Sequence, residues 1–238
     1  MSEASEWSAA TVVAIRQETP TVKTFTFELP HKVTHLAGQH YEIRLTAPDG
    51  YQAARLYSAA SPAQGNSRLE LTIVLLPSGE VSPYMHRNVQ VGDQIELRGP
   101  LGKFFVWEPL APAPVLLLAG GSGVVPMRCI MQARAAAHSD IPCHLLYGAR
   151  SFDEIIYKPE LLNTDGVTIT LDTANDDWHG NTGRITAELL RQELAKLPPA
   201  PMCYICGSTP FVEAVSNSLV AMGVAPETIK TERFGATA

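Results

Sequence analysis

Long hydrophobic runs are missing from this 238-residue chain. No stretch reaches the roughly 18–20 apolar residues that a membrane-crossing helix needs. The opening Met1-Ser2-Glu3-Ala4-Ser5-Glu6-Trp7 is polar and acidic, without the basic and apolar segments of a secretory leader. A cytoplasmic protein with no membrane insertion is expected. Clustered positive charge is missing as well: 18 Lys and Arg are scattered among 24 Asp and Glu, for a net charge of −6. That argues against nucleic acid as the main partner. Cysteine is scarce, at four residues: Cys129, Cys143, Cys203 and Cys206. Cys203-Tyr204-Ile205-Cys206 has the spacing of a zinc or dithiol motif. It lies, however, in an apolar strand-like run, where cysteines three apart point to opposite sides. No second pair and no paired histidines complete a zinc site, and the four do not have an iron–sulfur spacing. No metal is expected. Internal repeats and low-complexity tracts are absent.

What the chain does have is a change of pattern near its middle. The first half reads as short strands: Trp7–Glu18, Thr21–Leu29, His40–Thr46, Ala53–Ser61, Arg68–Leu75 and Gln94–Arg98. Turn signals separate them, among them Ala47-Pro48-Asp49-Gly50, Gly65-Asn66, Pro77-Ser78-Gly79 and Gly92-Asp93. Strands at this spacing predict an antiparallel barrel or sandwich. One short helix is expected, over Ser82–Asn88. Three prolines in the six residues 109–114 then mark a linker. Beyond it strands (115–119, 143–148, 167–173, 202–207) alternate with helices (125–138, 154–162, 186–197, 210–222), which predicts a doubly wound parallel sheet. The expected domains are residues 1–110 and 111–238.

Two motifs carry chemistry. Gly120-Gly121-Ser122-Gly123-Val124-Val125-Pro126 leaves a strand and enters a helix. Without Cβ atoms Gly120, Gly121 and Gly123 let backbone approach a diphosphate, and the helix N-terminus favours an anion. Pro126 suits the first helical turn. A tight strand–helix turn without a ligand has the same pattern, but the place at the start of an α/β half favours a phosphate cradle. The second strand of that half runs into Gly148-Ala149-Arg150-Ser151, where many dinucleotide-binding folds have an acidic residue for the ribose hydroxyls. Arg150 and Ser151 suit a 2′-phosphate, which favours NADPH over NADH. The other motif is Arg55-Leu56-Tyr57-Ser58. It offers a cation for phosphate, a ring to cover a fused heterocycle and a hydroxyl to bond its edge. Alone, such a tetrapeptide is common in strands.

Taken in order, these motifs resemble the ferredoxin–NADP reductase superfamily of two-domain flavin reductases. The resemblance runs through Arg55–Ser58, Gly79-Glu80-Val81-Ser82, Gly99-Pro100-Leu101-Gly102-Lys103-Phe104, Gly120–Pro126, Cys206-Gly207 and the tail Glu232-Arg233-Phe234-Gly235. It covers nearly the whole chain. It implies a flavin-binding antiparallel β-barrel followed by an NAD(P)-binding parallel-sheet domain. Arg55, Leu56, Tyr57 and Ser58 would bind the flavin, with Ser58 near its N5 atom. Gly79, Val81 and Ser82 would form the pyrophosphate turn, with Ser82 also a good N-cap for the short helix. Gly120, Gly121, Gly123 and Pro126 would hold the nicotinamide cofactor's phosphates. Cys206 and Gly207 would lie where nicotinamide meets flavin, with Glu232 and Phe234 close to the flavin. The implied catalytic residues are Ser58, Cys206 and Glu232.

The implied cofactors are FAD, with FMN less favoured, and NADPH or NADH as hydride donor. The implied acceptor is a redox partner in trans, a ferredoxin or a metalloenzyme component, served by a monomer. A diaphorase reducing quinone, oxygen or free flavin is the first alternative, and a non-catalytic relay subunit the second. The sequence departs from many relatives in carrying apolar Val74-Leu75-Leu76, rather than an arginine, before the glycine turn, and Thr173-Ala174 after the third strand of the α/β half.

Overall fold

The computed structural model describes residues 6–109 and 112–234. Contacts divide the chain into two compact units: Met1–Glu108 with Arg128–Ala133, and Pro109–Met127 with Arg134–Ala238. The expected boundary at 110/111 falls on residues outside those described, as do the acidic opening Met1–Ser5 and Gly235 of the tail motif.

The first unit is built on six antiparallel strands: β1 (Ser8–Thr19), β2 (Val22–Glu28), β3 (His40–Thr46), β4 (Gln52–Ser58), β5 (Arg68–Val74) and β6 (Gln94–Leu101), with helix α1 (Val81–Arg87) between β5 and β6. Their order is β4-β3-β6-β1-β2-β5. The two outer strands meet through an antiparallel bridge between Ala59 and Leu71, and Ala60 N donates to Glu70 O at 2.8 Å. Of the two expected architectures the barrel is therefore the one formed, since closure satisfies the edge strands. Phe25, Phe27, Ile43, Leu69, Leu71 and Ile73 are wholly buried at alternate strand positions and fill its interior. Buried Thr24 and Thr72 face each other across β2 and β5, their hydroxyls 2.8 Å apart.

The second unit holds β7 (Val115–Gly120), the two ends of α2 (Val124–Ala136), β8 (Cys143–Ala149), α3 (Lys158–Leu161), β9 (Val167–Leu171), β10 (Asn181–Thr182), α4 (Ala187–Ala195), β11 (Met202–Ser208), α5 (Thr209–Ala221) and β12 (Ile229–Phe234). Its strands run in the order β10-β9-β8-β7-β11-β12, every pairing parallel. One face packs Leu116, Leu118, Leu146, Cys203 and Ile205 against Leu189, Leu190, Val212, Val215 and Leu219 of α4 and α5. Cys203 thus serves that core, while Cys206, three residues on, faces the other way. Thr186 caps α4 by accepting from Leu189 N at 3.2 Å, a bond of about 1 kcal/mol. Among the described residues no helix is long and apolar enough to cross a membrane.

Three elements differ from expectation. The helix expected over 154–162 is one turn, Lys158–Leu161, because Ile155 is extended and Tyr157 adopts a left-handed conformation at φ 59°. Pro159, which cannot donate to an i−4 carbonyl, belongs at such a helix start. Strands β10 and β12 were not expected. Asn181-Thr182 is too short and polar to show period-2 alternation. Ile229–Phe234 carries polar residues at most positions and is held by its parallel pairing with β11.

Candidate functional site

The barrel unit gathers one set of the expected residues around the end of β4 and the start of α1. Ser58 ends β4 opposite His40, is 4% exposed, and its Oγ is buried without a hydrogen-bond partner. Leaving a buried hydroxyl unmade costs about 1–3 kcal/mol, so a bonding partner supplied by a ligand fits there. Tyr57 pairs with Tyr41 across β3. Burial pushes its phenol up to about 12, against a smaller opposing effect of Arg55. It therefore stays neutral, an uncharged ring for an aromatic ligand. Arg55 is half-buried; its Nη1 donates to Ala54 O at 2.7 Å, and its Nη2 stands 3.9 Å from Glu80 Oε2. Most of its donors remain uncommitted to strong bonds, which fits an anionic ligand. Leu56 is 55% exposed.

The turn before α1 closes on Leu76. Gly79 N donates to Leu76 O at 2.9 Å, and Leu76 N donates to Ser82 Oγ at 3.0 Å. A Cβ on Gly79 would stand 3.3 Å from Leu76 O. Ser82 is therefore not the N-cap: it lies buried inside the first turn, Glu80 holds the cap position without a side-chain cap bond, and Val81 starts the helix. The hydroxyl is spent on closing the turn because Leu76 N has no strand partner beyond the end of β5. His86 is a packed residue, its Nε2 2.8 Å from Ile73 O.

The second unit gathers the remaining residues where β7 and β11, far apart in sequence, lie side by side. This is the topological switch point, where open parallel sheets bind ligands beyond their carboxyl ends. After β7, Gly121–Gly123 make one 3₁₀ turn and α2 starts at Val124 with Pro126 in its first turn. Here glycine is a steric requirement: a Cβ on Gly123 would lie 1.9 Å from Cys206 O and 2.4 Å from its carbonyl carbon. Gly121 has φ +56° and open space where a Cβ would go. Cβ atoms on Gly120 and Gly207 would strike the Phe211 ring at 2.9 and 2.7 Å. Phe211, at the start of α5, escaped sequence reasoning, because its role comes from packing on Gly120 and Gly207 and not from a local pattern.

On β12, Glu232 is the register partner of Cys206, and Phe234 of Ser208. Burial pushes the Glu232 carboxyl up to about 7. Burial, and then the neighbouring Glu232, pushes the Cys206 thiol well above its ordinary value, so the sulfur stays a thiol. Arg150 and Ser151 follow β8 at the same edge. The Arg150 side chain is 79% exposed and pairs with Glu154 at 3.6 Å.

This division into a barrel and a parallel-sheet unit has counterparts among known proteins. A family described as an oxidoreductase FAD-binding domain matches residues 9–106, and one described as an oxidoreductase NAD-binding domain matches 117–217. The chain is 33% identical to a ferredoxin–NADP reductase B of Sorangium cellulosum, over 94% of this chain and 96% of that relative. It is 29% identical to the toluate 1,2-dioxygenase electron transfer component of Pseudomonas putida, over 87% of this chain but only 61% of that longer protein. Among solved structures, the flavohem-like FAD/NAD-binding domain of a nitric oxide dioxygenase from Vibrio cholerae superposes with a TM-score of 0.82 at 26% identity, covering 96% of this chain and 98% of that one.

Proposed function

The chain belongs to the ferredoxin–NADP reductase superfamily of flavin-dependent NAD(P)H oxidoreductases, and on that premise we propose that it draws hydride from NADPH onto FAD and serves a separate redox protein. The flavin, when bound, supplies the chemistry of taking a hydride and giving electrons up singly or in pairs. The chain's residues bind, orient and hold protons.

In this reading Arg55 holds a flavin phosphate with donors that its long pairing to Glu80 leaves free. The neutral Tyr57 ring covers the isoalloxazine. Ser58 gives its buried, partnerless hydroxyl to the ring edge near N5, and exposed Leu56 adds apolar contact. Gly79, Val81 and Ser82 shape the backbone beside the pyrophosphate. In the other unit Gly120, Gly121, Gly123 and Pro126 put the start of the thirteen-residue helix α2 at the nicotinamide cofactor's phosphates. Cys206 and Gly207 border the nicotinamide, Phe234 the flavin, and the Glu232 carboxyl keeps its proton up to about pH 7. Arg150 and Ser151 receive a 2′-phosphate; an exposed i,i+4 pair such as Arg150–Glu154 is worth little and yields to a doubly charged ligand.

The partner is a ferredoxin or the metalloenzyme component of an oxygenase, the class of system served by the Pseudomonas putida relative. The protein works as a monomer in the cytoplasm. The observation that carries the reading is the conjunction, in one chain, of a FAD-binding family match over the barrel and an NAD-binding match over the parallel sheet. Steady-state reduction of ferricyanide by the FAD-loaded chain tests it. NADPH should support turnover better than NADH, and Arg150→Ala should raise KM for NADPH about tenfold while leaving NADH nearly unchanged. Equal effects on the two nucleotides would remove Arg150 from the 2′-phosphate site.

A further inference from the structure

Glu80 stands out in the barrel unit because it puts a negative charge beside the cation that the flavin reading assigns to phosphate. Its carboxylate is held at two points. The Tyr51 hydroxyl donates to Oε1 at 2.8 Å, and Arg55 Nη2 approaches Oε2 at 3.9 Å. The Glu80 side chain is half exposed, so the ion pair does little for folding. Tyr51 does fix where the carboxylate sits: the hydrogen bond raises the phenol's own pKa, a sign that the two groups are engaged. The carboxylate thus lowers the effective charge that Arg55 offers to a phosphate. On the preceding segment Val74-Leu75-Leu76 adds no cation to make up the difference.

We propose that Glu80, positioned by Tyr51, is a flavin-specificity residue: it admits the pyrophosphate of FAD at Arg55 and turns away the terminal phosphate of FMN. The inference rests on the reading of the barrel as the flavin unit and deepens it. A phosphomonoester such as that of FMN carries about −1.5 to −2 charges at pH 7 on a single phosphorus. Each phosphate of a pyrophosphate diester carries one, with no second ionisation. A fixed carboxylate beside the phosphate repels both, and repulsion scales with the charge it faces. The monoester therefore loses about twice as much as the nearer phosphate of the diester. FAD also has an adenosine half with which to recover affinity away from Glu80.

Fluorescence quenching of FAD and of FMN by the flavin-stripped full-length chain tests this without reference to turnover. The wild-type chain should bind FAD more tightly than FMN. Glu80→Gln, which keeps the shape and the Tyr51 contact, should tighten FMN about tenfold and FAD no more than about threefold, so the preference narrows. Tyr51→Phe, which frees the carboxylate without removing its charge, should give a smaller change in the same direction. Equal tightening of both flavins, or none, in a Glu80→Gln chain that melts like wild type would overturn the proposal. Failure of the wild-type chain to bind either flavin would instead overturn the flavin reading, and this inference with it.

Discussion

The two nucleotide cradles of this chain are made of different material. In the parallel-sheet unit the cradle is backbone: Gly123 is pressed against the Cys206 carbonyl, and Gly120 and Gly207 against the Phe211 ring. In the barrel unit it is side chains: Arg55, Tyr57 and Ser58 on one strand, with Glu80 and Tyr51 setting the charge around the arginine. A backbone cradle has almost no room for substitution, because close packing converts an added methyl group directly into strain. A side-chain cradle tolerates substitution and changes its preferences by degrees. The comparison predicts all-or-none behaviour on one side and graded behaviour on the other.

The sharpest way to break that comparison is Gly123→Ala. The methyl group would overlap the Cys206 carbonyl, so the chain should lose about 3 kcal/mol or more and all nicotinamide binding, read by thermal melting and nucleotide titration. A variant that melts and binds like wild type would mean that the loop and β11 do not pack as described. Next in size, Arg55→Ala should weaken FAD binding about ten- to a hundredfold through loss of charge-assisted bonds, with little change in melting temperature. Ser58→Ala should be smaller for FAD affinity, about tenfold or less, and should slightly stabilise the flavin-free chain, because it removes a buried hydroxyl that has no partner.

On β12 the comparison is read through pH rather than through a lost contact. Because burial raises the Glu232 pKa from 4.5 to about 7, the folded chain holds a proton there that the unfolded chain has already released. That contribution to stability is complete below about pH 4.5 and is lost as pH rises through about 7. Glu232→Gln should flatten this fall in a series of thermal melts, and a difference curve between variant and wild type that is level across that window would remove the raised pKa.

The same contrast explains what could be read from the chain without its structure. The regular strands and the Gly120–Pro126 loop announce themselves through period-2 alternation and through glycines after an apolar run, so both sheets were legible, as was the order of motifs. Ser82 was read as an N-cap from its residue type; the unpaired Leu76 amide that claims its hydroxyl arises only once β5 ends where it does. Phe211 and β12 were invisible for a related reason. Neither has a local pattern, and both are defined by neighbours across the sheet. The Tyr51–Glu80–Arg55 contact joins residues 25–29 positions apart and has no sequence signature.

The central claim is that one chain holds both a flavin and a nicotinamide site and transfers hydride between their ligands. Anaerobic addition of one equivalent of NADPH to the FAD-loaded chain tests it most directly. The account predicts that the yellow flavin colour bleaches and that acid releases FAD as the one flavin. Protein that binds FAD yet stays yellow with both NADPH and NADH would contradict it.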